Sequence, residues 1–237
     1  MPAPGADTVS SIEVTVVMPV FNELATVERA VAEVLDANVS DSIELLVVDD
    51  GSSDGTRELL RETSWPDPVR VLYHDRNRGK GAALRTALAE ARGAWTTIMD
   101  ADLEYQASDI ALLLDPLREG RAEVVYGTRA FKSHSAFSFW YVVGNRGVTF
   151  AANLIYNSWI SDVMTGHKAM ATDLFRSLDL RERGFAIEAE ITARLLRRGI
   201  RIYEVPIEYV ARGREEGKKL TALDGLRVVR TLLRCRL

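Results

Sequence analysis

Short aliphatic runs alternate with stripes of helical spacing through the N-terminal half of the chain. Val14–Pro19 (VTVVMP) is a β-branched run that predicts a buried strand. Leu24–Leu35 then sets Val27, Ala30, Val31 and Val34 on one helical face. Ile43–Val48 predicts a second strand. The Asp/Gly/Ser cluster behind it predicts a turn and a helix through Arg61, with Ser53 or Asp54 as the N-cap. Val69–Tyr73 is a third strand, Gly81–Arg92 is built from strong helix formers, and Trp95–Met99 is a fourth strand ended by acidic residues. This alternation predicts an α/β fold with a mainly parallel, Rossmann-like central sheet flanked by helices.

In such sheets ligands bind beyond the carboxyl ends of the strands. The residues that follow the four strands are Phe21-Asn22-Glu23, Asp49-Asp50-Gly51, His74-Asp75-Arg76 and Asp100-Ala101-Asp102. Turn formation accounts for any one of these acidic groups, but less well for all of them together.

Composition narrows the class. With 237 residues, 47% hydrophobic and 27% charged, the chain is a folded protein. No internal repeat or linker divides it, so residues 12–237 read as a single domain with a basic C-terminal helix. Residues 1–11 read as a disordered tail without the features of a signal peptide. The single cysteine, Cys235, excludes an intramolecular disulfide and points to a reducing, cytosolic compartment. No apolar stretch reaches the ~18 residues of a membrane span. The net charge of −4 argues against a nucleic-acid partner. Residues 197–237, however, hold 11 Lys/Arg against 5 Asp/Glu. This basic piece suits a phosphate group or an anionic membrane face, or is a solvated helix.

Asp100-Ala101-Asp102 follows the apolar run TTIM, so extended backbone would put both carboxylates on one side. Paired hard oxygens suit Mg²⁺ or Mn²⁺ completed by a diphosphate, and Glu104 adds a third carboxylate; the same residues also read as solvated loop carboxylates. VVDDGSSDGT (Val47 to Thr56) reads as strand–turn–helix, with Asp50 placed to accept from a ribose hydroxyl or a base N–H. No GxGxxG follows the first strand and no GxxxxGK[ST] occurs, which disfavours dinucleotide and Walker-type phosphate sites.

Together VVMPVFNE (Val16 to Glu23), VVDDGSSDGT, NRGKGAALRTAL (Asn77 to Leu88) and DADLE (Asp100 to Glu104) resemble family-2 glycosyltransferases of the GT-A fold, especially the polyprenyl-phosphate hexose synthases. The resemblance continues through YGTR (Tyr126 to Arg129), DVMTGHK (Asp162 to Lys168), FAIEAEITARLLRRGIRIYEVPI (Phe185 to Ile207) and REEGKKL (Arg214 to Leu220). It implies a metal-dependent, inverting transfer of a hexose from a GDP- or UDP-sugar to a polyprenyl phosphate, by a cytoplasmic protein in peripheral contact with the membrane. Pro19, Phe21 and Glu23 would surround the base, Val48 and Asp50 would lie beside base and ribose, and Lys80, Asp100 and Ala101 would line the donor. Asp102 and Glu104 would hold Mg²⁺ or Mn²⁺ on the diphosphate, and Arg212 and Lys218 would neutralise the leaving group. Asp100, Asp102, Arg212 and Lys218 form the implied catalytic set. Arg129 and Arg146 match the positions that receive the acceptor phosphate. His167 stands where relatives usually carry an aromatic residue.

Residues 137–160 hold 7 of the 18 aromatic side chains and a single charge, Arg146, which suits a lipid acceptor; a buried hairpin or a homodimer interface is the alternative. The C-terminal stretch is apolar at Leu226, Val229 and Leu233 and basic between them. A soluble hydroxyl acceptor would instead need a base, for which Glu188 and Glu190 are the candidates, although Glu190 also suits a pair with Arg194. A non-catalytic nucleotide-sugar-binding protein is a third reading.

Overall fold

The computed structural model describes residues 12–129, 134–135, 139–211 and 222–237. The predicted tail and both predicted leaving-group cations, Arg212 and Lys218, lie outside the described residues.

Strand β1 (Val14–Val20) runs through the middle of a sheet covered on both faces, where Val14, Val16, Val17 and Met18 have no exposed surface. Strands β2 (Ile43–Asp49) and β4 (Trp95–Ile98) flank it in parallel, and β3 (Val69–Tyr73) extends the sheet beside β2. The other half is different. Strand β7 (Lys168–Ala171) runs antiparallel to both β4 and β5 (Val124–Thr128), and β8 (Ile202–Pro206) closes the edge parallel to β5. The order is β3-β2-β1-β4-β7-β5-β8, a mixed sheet. The reversal arises because the chain leaves the sheet after β5 and re-enters it at the same end, so no crossover restores the strand direction. Strands β6 (His134–Ser135) and β9 (Tyr209–Val210) form a separate parallel ladder.

Alternate side chains of β1 separate two cores. Val14, Val16, Met18 and Val20 pack with α1 (Val27–Asp36) and α4 (Asp109–Arg118). Val17 packs on the other face with Leu46, Val48, α3 (Lys80–Glu90), α6 (Thr172–Ser177) and α7 (Ile187–Arg197). Two details differ from the sequence pattern. The N-cap of α2 (Thr56–Glu62) is Gly55, at φ 101°, while Asp54 accepts from the backbone N–H of Leu24 and of Thr56. A third core joins α5 (Phe139–Tyr156), α7 and α8 (Ala222–Arg236), and α8 buries Val228, Leu232 and Cys235 in it. Leu226 and Leu233, predicted to share the apolar face, are 69% and 50% exposed.

Two glycines shape the site. A Cβ at Gly79 would stand 2.3 Å from the Arg183 carbonyl oxygen, and one at Gly81 would stand 2.3 Å from that of Glu182. Their bare backbone lets residues 182–183 cross the start of α3, where the Gly81 N–H donates to Arg183 O at 2.7 Å.

Candidate active site

A cavity of about 760 Å³ opens beyond the carboxyl ends of β1, β2 and β4. Its walls bring together Pro19 at the end of β1, Phe21 and Glu23 after it, Asp50 after β2, Lys80 at the start of α3, Asp100, Ala101, Asp102 and Glu104 after β4, and Arg129 after β5. Val48 is not among them. Its strand position turns it into the core against α3, fully buried. Arg146 is exposed on α5 and does not line the cavity.

The carboxylates have different duties. Asp49 accepts from Ser52 N at 3.0 Å and pairs with Arg57 at 2.6 Å, which is the turn-forming role. Asp50 holds the loop before α3: it accepts from the N–H groups of Arg78 (2.9 Å) and Gly79 (2.6 Å), and His74 Nδ1 lies 2.6 Å away with Nε2 2.8 Å from Thr86. Asp50 thus shapes the cavity wall as well as lining it. Asp100 and Asp102 stand on a turn rather than on extended strand, since β4 ends at Ile98 and Leu103 has φ 58°. Asp102 accepts from the Glu104 N–H at 3.1 Å, and Glu104 Oε2 accepts from the Tyr209 hydroxyl at 2.6 Å.

A buried ammonium lies beneath Asp100. Lys80 Nζ is 2.8 Å from that carboxylate and 2.9 Å from Glu188 Oε1. Burial disfavours its charge, but the two carboxylates outweigh burial and hold Lys80 well above the ordinary lysine range. Glu188 lines the cavity; Glu190 does not. Glu190 accepts from the N–H groups of Arg181 and Glu182 and pairs with Arg194 at 2.8 Å, the structural alternative foreseen for it. Lys168, Tyr105, Asp162 and Tyr209 were not singled out from the sequence. Lys168 and Asp162 bound the DVMTGHK segment, but only the fold shows what they face.

Arg129 reaches the cavity with its guanidinium already engaged. Nε and Nη2 donate to the two oxygens of Asp162 at 2.6 and 2.9 Å, over the Tyr209 ring at 4.8 Å. Burial pushes the Asp162 carboxyl up, yet Arg129 holds it below the ordinary carboxylate range.

His167 is fully buried and stacks on Tyr105 with ring centroids 5.2 Å apart. Neither ring nitrogen has a hydrogen-bond partner among the described residues. Burial lowers its pKa to about 4. The folded state therefore keeps the ring neutral while the unfolded chain protonates below about pH 6.5, so stability falls by up to about 3 kcal/mol between pH 6.5 and 4. His167→Phe keeps the stacking face and removes both unpartnered nitrogens. It is expected to raise unfolding free energy at pH 7 by about 1–2 kcal/mol and to flatten that acid decline. Urea unfolding at pH 7 and pH 5 checks this; a variant as acid-sensitive as the wild type would locate the loss elsewhere.

A family model described as glycosyl transferase family 2 matches residues 15–179, from β1 through α6. The chain belongs to glycosyl transferase family 2. It is 30% identical over 213 residues to glycosyltransferase AglJ of Haloferax volcanii, covering 90% of this chain and 65% of that protein. It is 29% identical over 229 residues to the undecaprenyl-phosphate mannosyltransferase of Micrococcus luteus, covering 92% of each. The chain spans less than two thirds of the length of AglJ and of two further relatives. Glucosyl-3-phosphoglycerate synthase of Mycobacterium tuberculosis, solved with Mn²⁺, UDP-glucose and phosphoglyceric acid, matches 96% of this chain and 80% of its own with a TM-score of 0.71 at 21% identity. The predicted GT-A fold is the fold observed.

The expected polyprenyl-phosphate acceptor and membrane contact are corrected. The fold likeness leads to an enzyme solved with phosphoglyceric acid, a soluble acid. Of the two arginines expected to receive a lipid phosphate, the fold brings only Arg129 to the cavity. Arg129 is closed on Asp162, and Arg146 lies off the cavity. Of the aromatic residues in 137–160, Tyr156 is buried and donates to Leu232 O at 2.7 Å, whereas Phe139, Phe150 and Trp159 are exposed. Among the described residues no helix is long and apolar enough to cross a membrane.

Proposed function

We propose that this cavity transfers a hexosyl group from a UDP- or GDP-sugar, with Mg²⁺ or Mn²⁺ on its diphosphate, to a hydroxyl of a soluble acceptor. The observation that carries this reading is the convergence of Asp100, Asp102, Glu104 and Lys80 in one cavity at the strand ends. Phe21 offers an apolar face to a base, and Asp50 keeps the loop that shapes the wall beside it.

The donor set fits a hard cation. Asp102 and Glu104 supply carboxylate oxygens, and the Tyr209 hydroxyl fixes Glu104. Among the described residues no group of three or more His, Cys, Asp or Glu side chains can hold a metal by itself, which fits an ion whose shell a diphosphate completes. When bound, the ion neutralises charge building on the departing diphosphate. The M. tuberculosis synthase, solved with Mn²⁺ or with Mg²⁺ and UDP, supports the choice of ions.

The acceptor reading rests on charge. Arg181, Arg183, Arg227 and Arg234 also line the cavity, together with Glu182; Arg181 pairs with Asp179 and Arg234 with Glu182, each at 2.7 Å, and this group of cations suits an acceptor carrying phosphate or carboxylate.

The test is nucleoside-diphosphate release from a panel of UDP- and GDP-sugars with Mn²⁺ or Mg²⁺, with and without soluble phosphorylated hydroxy acids such as 3-phosphoglycerate. Metal-dependent release from one donor, accelerated by a soluble acceptor, is expected. Silence from every donor would overturn the reading.

A further inference from the structure

An alternating chain of four charges runs from the core to the cavity, which Glu188, Lys80 and Asp100 line and Lys168 does not. Lys168 comes first, on β7, with no exposed surface. Its ammonium donates to Val163 O at 3.2 Å, to Thr165 O and to Glu188 Oε2, and it sits 4.8 Å from the centre of the Tyr126 ring. Glu188, at the start of α7, passes the contact to Lys80 at 2.9 Å, and Lys80 passes it to Asp100 at 2.8 Å. The loop that carries Lys168 is pressed against this chain. A Cβ at Gly166 would stand 2.7 Å from Asp100 Oδ2 and 3.3 Å from Lys80 Nζ.

We propose that Glu188 and Lys168 are positioning residues for Lys80, which they hold at the floor of the donor site. The inference rests on the donor reading given above and assigns Glu188 a role other than general base. A base needs an oxygen open to the acceptor hydroxyl and basic enough to take its proton. Glu188 instead stands between two ammonium groups, one of them rooted in the core: Oε2 accepts from Lys168, and Oε1 is buried in an ion pair with Lys80 at 2.9 Å. Lys168 cannot reach a substrate. Its charge balances Glu188, so that Glu188 does not draw Lys80 away from Asp100. Two carboxylates, at 2.8 and 2.9 Å, fix the Lys80 ammonium where a diphosphate would meet it, and this removes an ordering cost from donor binding.

A double-mutant cycle tests the assignment on the full chain. Binding of UDP and GDP with Mn²⁺ is measured by calorimetry for the wild type, Glu188→Gln, Lys80→Met and the double variant, with thermal unfolding of each without ligand. Lys168→Met, read in the same way, reports the far end of the chain. Glu188→Gln is expected to weaken nucleotide binding about tenfold, and to cost nothing further once Lys80 is Met, because coupled residues are non-additive. Lys168→Met should weaken it in the same direction, by less. Additive losses would overturn the inference. So would unchanged binding in Glu188→Gln with turnover lowered about 10²–10⁴-fold, the mark of a base. If Glu188→Gln unfolds, Glu188→Asp replaces it: a shorter side chain of the same charge should lose binding and regain it in part in the Lys80→Arg background, and no recovery counts against the inference. Failure of the wild type to bind either nucleotide would instead overturn the donor reading itself.

Discussion

Arg129→Ala is expected to destabilise the fold by about 3–5 kcal/mol, the largest stability loss of any single change in the cavity. Among the described residues, the variant leaves the buried Asp162 carboxylate hydrogen-bonded to the Asn145 amide at 3.1 Å and the Met164 N–H at 3.2 Å, without its guanidinium partner. The sign of the pH dependence follows from the pair. Arg129 holds the Asp162 carboxyl below its ordinary range, so the stability it contributes is present above the unfolded carboxylate pKa and is lost as pH falls through the folded one. The deficit of the variant is therefore full at pH 7 and shrinks in acid, where the orphaned carboxyl takes up a proton. Urea unfolding at pH 7 and pH 4.5 measures both. Adding Asp162→Asn should recover much of the loss, since it removes the uncompensated charge. A variant as stable as the wild type would show that Arg129 is free to serve a ligand after all.

Asp102→Asn is expected to cut turnover by about 10²–10³-fold with little change in stability, because Asp102 is half-exposed and its backbone turn survives amidation. The change removes charge from the pair proposed to hold the ion, so activity should also need more Mn²⁺ to saturate. Glu104→Gln should move in the same direction by less, since the Tyr209 hydroxyl still finds an oxygen to bind. Initial rates against Mn²⁺ concentration, before and after chelation, check this. Full activity of Asp102→Asn at the wild-type Mn²⁺ requirement would remove the metal role from this turn.

Four strands and the cavity they feed were legible from hydrophobic periodicity, because period and β-branching are local properties that burial then enforces. Val14–Val20, Ile43–Asp49, Val69–Tyr73 and Trp95–Ile98 lie within two residues of their predicted bounds. The rule that ligands gather at strand ends picked out Glu23, Asp50, Asp100 and Asp102 before any contact was known. It did not pick out Lys168 or Asp162, whose partners Glu188 and Arg129 lie 20 and 33 residues away in the chain.

The sequence by itself determined the layered α/β architecture, the family, and the carboxylates at the strand ends that line the cavity. These depend on side-chain type and on spacing along one chain segment. Only the tertiary structure decided which charges stand against one another. Arg129, a candidate phosphate receptor, is found paired with Asp162. Glu188, a candidate base, is found between Lys80 and Lys168. The physical reason is that a buried charge is never neutral towards its surroundings. Its partner must come from wherever the fold places a counter-charge, and β7, reversed in the sheet, delivers Lys168 from a strand whose direction no local pattern announces.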